Sequence, residues 1–199
     1  FILNVVLDEK KRIVKAVAGD WVAAHREGCR FLDQLYGKPI TGRADIVLVS
    51  PGGFPKDLNL YQAQKALDNA KHAVKKGGII ILIASCKEGL GEAVFEDWMT
   101  TIPNPPAMVE RIRQDFRLGG HKAAAIAMVL ENVEVFFVSE MDPAFVRRIF
   151  LVPFPSAQAA LDAAFEQLGP DATVLAMPFG GSTLPAVVNA RAVVVVGLL

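Results

Sequence analysis

The chain has 199 residues, of which 52% are hydrophobic and 21% are charged, and its 21 basic side chains balance its 21 acidic ones. This composition is typical of a globular protein, because disordered chains are poor in apolar residues and carry excess charge. Without a net positive charge, nucleic acid and anionic membrane surfaces are not expected as partners.

The chain begins with a predicted β-hairpin and a helix. Val, Ile and Leu dominate the runs 1–7 and 12–18, and the charged residues 8–11 join them. The hairpin needs a packing partner, because two strands alone are only marginally stable in water. Asp20 is a suitable cap for a helix over Trp21–Tyr36, where apolar residues recur with helical spacing.

Glycine and proline residues after this helix predict a domain boundary, with a segment 1–42 and a body 43–199. Within the body, strands are predicted at 44–49, 78–84, 133–138, 150–152 and 172–177. Helices are predicted at 60–75, 91–99, 107–118, 121–130, 143–148 and 156–168. Strands rich in Val, Ile and Leu along their whole length are typical of a parallel sheet covered by helices. The predicted fold is α/β: an open, mainly parallel, Rossmann-like sheet flanked by helices and preceded by the hairpin and helix.

Ligands bind such sheets at the carboxyl ends of the strands. The loops of interest are therefore 50–57, 85–91, 139–142 and 178–183. In the first of these, Gly52 and Gly53 allow the backbone to approach a ligand closely. The segment 85–91 offers backbone N–H groups to an anion, but its spacing matches neither a P-loop nor a dinucleotide fingerprint. Cys86 in that segment is a candidate nucleophile or, by the simpler interpretation, an ordinary thiol at a strand end.

The helix after the first loop carries the main candidate site. Tyr61, Gln62 and Lys65 place a phenol, an amide and an ammonium near the positive end of a helix, which suits a carboxylate or another anion. A structural interpretation of the same residues remains open. Asn59 would cap the helix with Gln62 closing a capping box, Tyr61 would pack, and Lys65 would be solvated.

The three histidines are too far apart in sequence to form a local metal pair, so no metal site is predicted within this chain. His25 is expected in the core or against a missing partner, and His72 on a solvated face. His121 follows Gly119 and Gly120 at a helix start, where it is either a ligand contact or a plain loop residue.

The apolar runs 79–84 and 192–199 are far shorter than the roughly 20 residues that cross a bilayer, so no membrane span is predicted. Cys29 and Cys86 form neither a disulfide framework nor a metal knuckle, which favours a reducing, cytoplasmic compartment. Phe1 follows no Met and begins directly in an apolar run, so we expect a piece of a longer protein.

Four segments, in the same order, resemble the nickel-pincer-dependent lactate racemase family. They are 52–66, 85–91, 120–123, and the pair 18–20 and 24–29. The similarity extends over residues 1–188. It implies that 1–42 is the tail of an N-terminal domain and that 43–199 is a C-terminal domain.

The resemblance also implies a nickel pincer nucleotide, tethered to a lysine in a cleft between two domains, and racemisation by reversible hydride transfer through a keto acid. It places Lys65 at the substrate carboxylate and Gln62 at the substrate or a catalytic group. On the cofactor side it places Tyr61, Gly52, Gly53 and His121. The tethering lysine, the nickel ligand and the catalytic histidines belong to the missing part, so this chain alone is expected to contain no catalytic residue and to be inactive.

The resulting hypothesis is the C-terminal, substrate- and cofactor-capping half of a 2-hydroxy acid racemase or epimerase. Its expected partners are the missing N-terminal domain and a small 2-hydroxy acid. His121 stands where the lactate-specific enzyme has a tryptophan, so the substrate is expected to be another 2-hydroxy acid or α-hydroxy compound. Two alternatives remain: a family member with a different reaction on a larger hydroxy acid or sugar acid, and a non-catalytic α/β module that binds a small anion or a protein.

Overall fold

The computed structural model describes residues 1–8 and 10–188. Glu9 in the predicted hairpin linker and the apolar run 192–199 lie outside the described residues. The chain divides into two compact units, Phe1–Lys38 and Pro39–Leu199. None of the helices in the described residues is long and apolar enough to cross a membrane.

The first unit is an antiparallel hairpin with one helix. β1 (Ile2–Leu7) pairs with β2 (Ile13–Gly19), and α1 (Trp21–Tyr36) follows. Asp20 caps α1 by accepting hydrogen bonds from the backbone N–H groups of Val22 and Ala23. These elements confirm the prediction, because both the cap and the apolar period are local features of the sequence.

The two faces of the hairpin differ in burial. Val6 and Val17 are buried on one face, where Val17 lies against Gly28 of α1. The opposite face carries Leu3 and Val5, which are 70% and 47% exposed. Their cross-strand partners are alanines, so this exposed face is apolar on both strands.

The second unit is built on a parallel sheet. The elements that follow α1 in the chain are β3 (Gly37–Ile40), β4 (Ala44–Val49), α2 (Leu60–Ala70), β5 (Val74–Ile83), α3 (Ala93–Thr101), α4 (Pro105–Gln114), α5 (Gly120–Leu130), β6 (Glu134–Val138), α6 (Pro143–Arg148), β7 (Val152–Phe154), α7 (Ala157–Leu168), β8 (Val174–Met177), a 3₁₀ turn (Gly180–Ser182) and β9 (Leu184–Val187). The sheet order is β7-β6-β5-β4-β8, and every neighbouring pair is parallel. The predicted α/β class and its parallel sheet are confirmed.

Alternate residues of the central strands face two different helix layers, because successive side chains of a strand point to opposite faces. One face of β4 and β5 packs with the residues of α2, α3, α4 and α5 in the larger apolar cluster. The other face, with Ile46, Ile79 and Ile81, packs with Ala160 and Ala164 of α7. Both faces are buried, which explains the continuous Val, Ile and Leu runs.

Several predicted boundaries are wrong for identifiable reasons. α2 ends at Ala70 rather than residue 75, because Val74 already pairs with Ala44 in the sheet. α3 starts at Ala93 because Glu92 caps it by accepting from the N–H groups of residues 94 and 95. α4 starts at Pro105 rather than residue 107, because Pro105 and Pro106 occupy its first turn, where proline is tolerated.

The short strands were the least predictable elements. β7 occupies Val152–Phe154 rather than 150–152, and it pairs with β6. β3 and β9 were not predicted at all, and they form a separate two-stranded sheet. The carbonyl of Ile40 accepts a hydrogen bond from Val188 N–H, so this pairing joins segments far apart in the sequence.

Candidate functional site

The predicted site residues lie at the carboxyl edge of the sheet. Because β4, β5 and β8 are parallel, the loops that follow them meet at one edge. Ser50 after β4 donates its N–H to Met177 of β8, and its carbonyl accepts from Gly180 at 2.7 Å. α2 and α5 both run back along the sheet from this edge, so their first turns also lie there.

The first turn of α2 is held by hydrogen bonds within the protein. Asn59 accepts from the N–H of Gln62 at 3.1 Å. The N–H groups of Leu60 and Tyr61 donate to the carbonyls of Gly89 and Leu90. The backbone donors of this turn are therefore occupied, and an anion at this end must be held by side chains.

The segment 85–91 supports α2 rather than cradling an anion. The N–H of Cys86 donates to the carbonyl of Asp57, and the N–H of Glu88 donates to the carbonyl of Leu58. A side chain at Gly91 would collide with Asn59, so this glycine allows the segment to approach the α2 cap. The N–H groups of Cys86, Glu88 and Gly89 are thus used within the protein and are not free for an anion.

Cys86 is not an available nucleophile. Its side chain is 1% exposed, and burial together with the nearby Asp57 carboxylate raises the pKa of its thiol to about 12. The thiol is therefore protonated at neutral pH, and thiolate is the nucleophilic form. Cys86 is the ordinary buried thiol of the simpler interpretation.

Gln62 and Lys65 form a pair on the first turns of α2. The Lys65 ammonium donates to Oε1 of Gln62 at 2.7 Å. Gln62 is half-buried and Lys65 is exposed. Because the Gln62 side chain turns towards Lys65, the predicted capping box is only half present: Asn59 caps the helix without a return bond from Gln62.

Lys122 joins this cluster from the start of α5. Its ammonium donates to the backbone carbonyl of Tyr61 at 2.7 Å and lies 3.8 Å from the centroid of the Tyr61 ring. The ring also packs edge-on against Phe95, with 5.7 Å between centroids. Burial, and then repulsion from Lys65, lower the pKa of the Lys122 ammonium from its ordinary value. Asn59 therefore caps α2 and the Tyr61 ring packs, as the structural interpretation predicted. The ammonium groups of Lys65 and Lys122 bind to the same helical turn.

Close packing explains why glycine occupies positions 119 and 120. Gly119 has a φ of +95°, and a side chain there would collide with the Glu92 carboxylate that caps α3. A Cβ on Gly120 would come 2.6 Å from the Trp98 ring. The close packing of α5 against α3 that these glycines allow brings the first turn of α5, and with it Lys122, to Tyr61.

His121 is held by its own loop. Its Nδ1 accepts from the N–H of Gly119 at 3.1 Å, and its ring stacks on Phe116 with 5.9 Å between centroids. These contacts orient the ring but do not bring it to the α2 cluster. Its assignment as a cofactor contact stays a prediction.

Gly52 and Gly53 lie in the loop between β4 and α2. Both have positive φ, +103° and +76°, a conformation that favours glycine. A Cβ on Gly52 would come 3.0 Å from the Phe179 ring, whereas nothing lies within 4 Å of a Cβ at Gly53. The structure thus leaves space beside Gly53, and the cofactor role of both glycines stays a prediction.

His25 and His72 lie elsewhere. His25 is exposed on α1 with its Nε2 3.5 Å from the sulfur of Cys29. Of its two expected placements, the one in the core is wrong, and the one against a missing partner stays a prediction. His72 is exposed, as predicted, and partial burial and Lys71 lower its pKa. Within the described residues, no group of three or more His, Cys, Asp or Glu side chains is placed to hold a metal ion.

A cavity lies at the opposite edge of the sheet, between the end of α2 and the end of α5. It is lined by Arg43, Lys71, Val74, Lys75, Lys76, Met128, Val129, Asn132 and Val133. Two of its lysines are neutralised, because Lys71 pairs with Asp68 and Lys75 pairs with Asp45. This basic cavity is an alternative anion-binding site to the cluster at the start of α2.

Sequence comparison gives one consistent family. A family model described as the lactate racemase C-terminal domain matches residues 40–184. The lactate racemases of Lactiplantibacillus plantarum and Thermoanaerobacterium thermosaccharolyticum are each 33% identical to the chain, over 185 and 192 residues. These alignments cover 90% and 92% of the chain but 43% and 44% of the relatives. The chain therefore spans less than half the length of the curated relatives that it matches.

Solved structures agree with this comparison. The lactate racemase apoprotein from Thermoanaerobacterium thermosaccharolyticum is similar, with a TM-score of 0.81 and 31% identity over 92% of this chain and 45% of that chain. A protein from Thermotoga maritima has a TM-score of 0.62 at 18% identity over 94% of this chain and 48% of that chain, a likeness of fold alone.

Proposed function

The chain belongs to the lactate racemase family, and on that premise we propose that it is the C-terminal, substrate- and cofactor-capping half of a nickel-pincer-dependent racemase or epimerase of a 2-hydroxy acid. The observation that carries the proposal is the Lys65–Gln62 pair at the carboxyl edge of the sheet. Within the described part of the chain, Lys65 forms no ion pair with a carboxylate. Its charge is thus available to a ligand.

The pair presents more hydrogen-bond donors than acceptors to a ligand. Oε1 of Gln62 already accepts from Lys65, and the two amide N–H groups of Gln62 and the remaining ammonium protons of Lys65 are donors. A carboxylate accepts hydrogen bonds and carries a negative charge, so it matches this set. We assign Lys65 to the substrate carboxylate and Gln62 to the substrate carboxylate or hydroxyl. A hydrogen bond between charged groups contributes about 1.5–3 kcal/mol.

The residues of this chain fit the organic part of the pincer cofactor better than its metal. The cluster around Tyr61 offers cations and N–H donors, which suit anionic groups, while the metal ligands are proposed to come from the missing domain. When bound, the cofactor would supply a reversible hydride acceptor. Tyr61, Gly52, Gly53 and His121 are proposed to contact it. The role of this chain is to bind and orient the anionic groups.

The catalytic histidines, the nickel ligand and the tethering lysine are proposed to lie in the part of the protein that the longer relatives contain and this chain lacks. Residues 1–42 would be the tail of that N-terminal domain, and 43–199 the C-terminal domain. Turnover would then require the two domains to close over the substrate and exclude water from the hydride step. The chain alone would be inactive. Its substrate would be a 2-hydroxy acid other than lactate if His121 replaces a substrate-contacting tryptophan.

A second candidate is a non-catalytic module that binds a small anion. The observation that favours it is that the donor cluster of Gln62, Lys65 and Lys122 is complete within this chain. The two candidates share the site and differ in whether a bound 2-hydroxy acid is inverted.

The test uses the full-length protein loaded with the pincer cofactor and a panel of 2-hydroxy acids, with inversion followed by chiral chromatography. We expect inversion of at least one acid, and we expect Lys65→Met to lower kcat/KM by about 10- to 100-fold through loss of the charged hydrogen bond. The matched control is Lys71→Met at the other end of α2, where the lysine pairs with Asp68; it should leave kcat/KM unchanged. Binding without inversion of any acid would favour the anion-binding module.

A further inference from the structure

Lys122 belongs to the donor cluster described above, but no group of the ligand has been assigned to it. Its ammonium donates to the Tyr61 carbonyl, and the Lys65 ammonium donates to Oε1 of the adjacent Gln62. Two cations are thus attached to consecutive residues of one helical turn. Within the described residues, neither cation forms an ion pair with a carboxylate.

The hydrogen-bond donors of the Lys122 ammonium are only partly used within the protein. An ammonium has three N–H donors, and the structure gives this one a single hydrogen bond, to the Tyr61 carbonyl, plus the face of the Tyr61 ring. Lys122 is half-buried, so water screens its charge less than at a fully exposed position. Repulsion from Lys65 adds to this cost and contributes to the lowered pKa of Lys122. A ligand that neutralises both charges would relieve the repulsion.

We propose that Lys122 is the second cation of the anion site, and that Lys65 and Lys122 together select 2-hydroxy acids with two negative charges over those with one. The substrate class would then be 2-hydroxydicarboxylates. This inference rests on the proposed function, because it assumes that Lys65 binds the carboxylate of a 2-hydroxy acid. It extends that function by naming the class of acid.

The charge balance explains the selection. A monoanion pairs with one ammonium and leaves the other uncompensated, whereas a dicarboxylate places an opposite charge at each. Hydrogen bonds to charged groups are the strong ones in proteins, so the second pairing should give roughly a tenfold gain in affinity. A doubly charged phosphate group offers the same charge. The experiment must therefore separate a second substrate carboxylate from a phosphate.

The test measures the affinity of the full chain for lactate, malate and ethyl phosphate by NMR titration at two salt concentrations. We expect malate to bind about tenfold more tightly than lactate, with a steeper loss of affinity at high salt, and more tightly than ethyl phosphate. Lys122→Gln should lower malate affinity much more than lactate affinity and so reduce the malate preference to within about twofold. Lys122→Arg should retain most of the preference, because it keeps the charge. Lys71→Gln, at the far end of α2, is the matched control and should behave as wild type.

Equal affinity of the wild-type chain for malate and lactate would overturn the inference and leave the proposed function intact. A parallel loss of both affinities in Lys122→Gln would also overturn it, because Lys122 would then only support Tyr61. Tighter binding of ethyl phosphate than malate would assign the second charge to a phosphate and overturn the dicarboxylate class. If Lys122→Gln does not fold, the inference is tested by the ratio of malate to lactate affinity in the wild-type chain and in Lys122→Arg. Failure of every probe to bind would count against the proposed function itself.

Discussion

The two compact units differ in how they treat their apolar residues. In the second unit, central strand residues such as Ile46, Val47 and Ile80 are fully buried. In the first unit, Phe1 and Trp21 are 92% and 66% exposed, and one face of the hairpin is apolar and open. A large apolar face on a small unit marks an interaction surface. The second unit therefore has a buried core of its own, while the first leaves one apolar face of its hairpin uncovered.

This difference agrees with the proposed roles of the two units, in which the second binds the anion and the first belongs to the N-terminal domain. The second unit holds the Lys65–Gln62 pair on α2, which packs against a sheet that is covered on both faces. The exposed hairpin face is proposed to pack against the rest of the N-terminal domain.

The largest effect is expected in the core beneath the site. Phe95 is fully buried and contacts the Tyr61 ring, so Phe95→Ala should lower the free energy of unfolding by about 3–5 kcal/mol. Trp21→Ala in the first unit removes an equally large but exposed side chain, so it should change that free energy by less than about 0.5 kcal/mol. Urea denaturation followed by circular dichroism measures both. Equal losses would show that the first unit is as well packed as the second.

A medium effect is expected where α5 meets α3. Gly120→Ala places a Cβ against the buried Trp98 ring and should cost about 1–3 kcal/mol of unfolding free energy. Gly42→Ala is the control, because no atom lies within 4 Å of a Cβ at that position. Thermal unfolding of the two variants compares them. If Gly120→Ala is as stable as Gly42→Ala, the packing that brings Lys122 to Tyr61 is looser than the structure indicates.

A smaller effect is expected from pH at the amino edge of the sheet. Asp45 accepts hydrogen bonds from Lys75 and from the hydroxyl and N–H of Thr173, and these bonds hold the pKa of its carboxyl well below its ordinary value. A lowered pKa in the folded state means that the stabilisation is complete above about pH 4, the unfolded pKa, and is lost as the pH falls further. Between pH 6 and pH 3, wild type should therefore lose more stability than Asp45→Asn. Identical acid profiles would contradict the assignment.

The smallest effect on the chain itself is expected at the open face of the hairpin. Leu3→Lys combined with Val5→Lys replaces exposed side chains, so the unfolding free energy of the chain should change by less than about 0.5 kcal/mol. In the full-length protein the same change should expose the first unit and increase its protease cleavage, because a buried charge would disfavour domain packing. Asp33→Lys on the exposed surface of α1 controls for added charge. Unchanged cleavage in the full-length protein would show that the face has no partner there.

Local sequence features predicted most of the fold. The residues of α1 were predicted correctly because Asp20 caps it and its apolar period is regular. The central strands followed from unbroken Val, Ile and Leu runs. β3 and β9 were missed because their pairing joins segments at opposite ends of the second unit, and Gly37 and Pro39 favour a turn when considered alone.

The candidate site was predicted less completely. Tyr61, Gln62 and Lys65 follow from helical spacing, but Lys122 is 61 positions from Tyr61, and only the packing of α5 joins them. The helical pattern also could not show that the carbonyls of Gly89 and Leu90 occupy the backbone donors of α2. The sequence feature that could have pointed to Lys122 is the Gly119–Gly120 pair. Two glycines at a helix start allow another element to approach closely, but they do not show which element it is.

Side chains at the start of α2 are proposed to bind the carboxylate of a 2-hydroxy acid. The most direct measurement is an NMR titration of the isotope-labelled chain with such an acid, with every backbone amide followed. We expect the shifts to concentrate at Tyr61, Gln62 and Lys65 and to disappear in Lys65→Met. Shifts concentrated at Arg43 and Lys76, in the cavity at the opposite edge of the sheet, would contradict it.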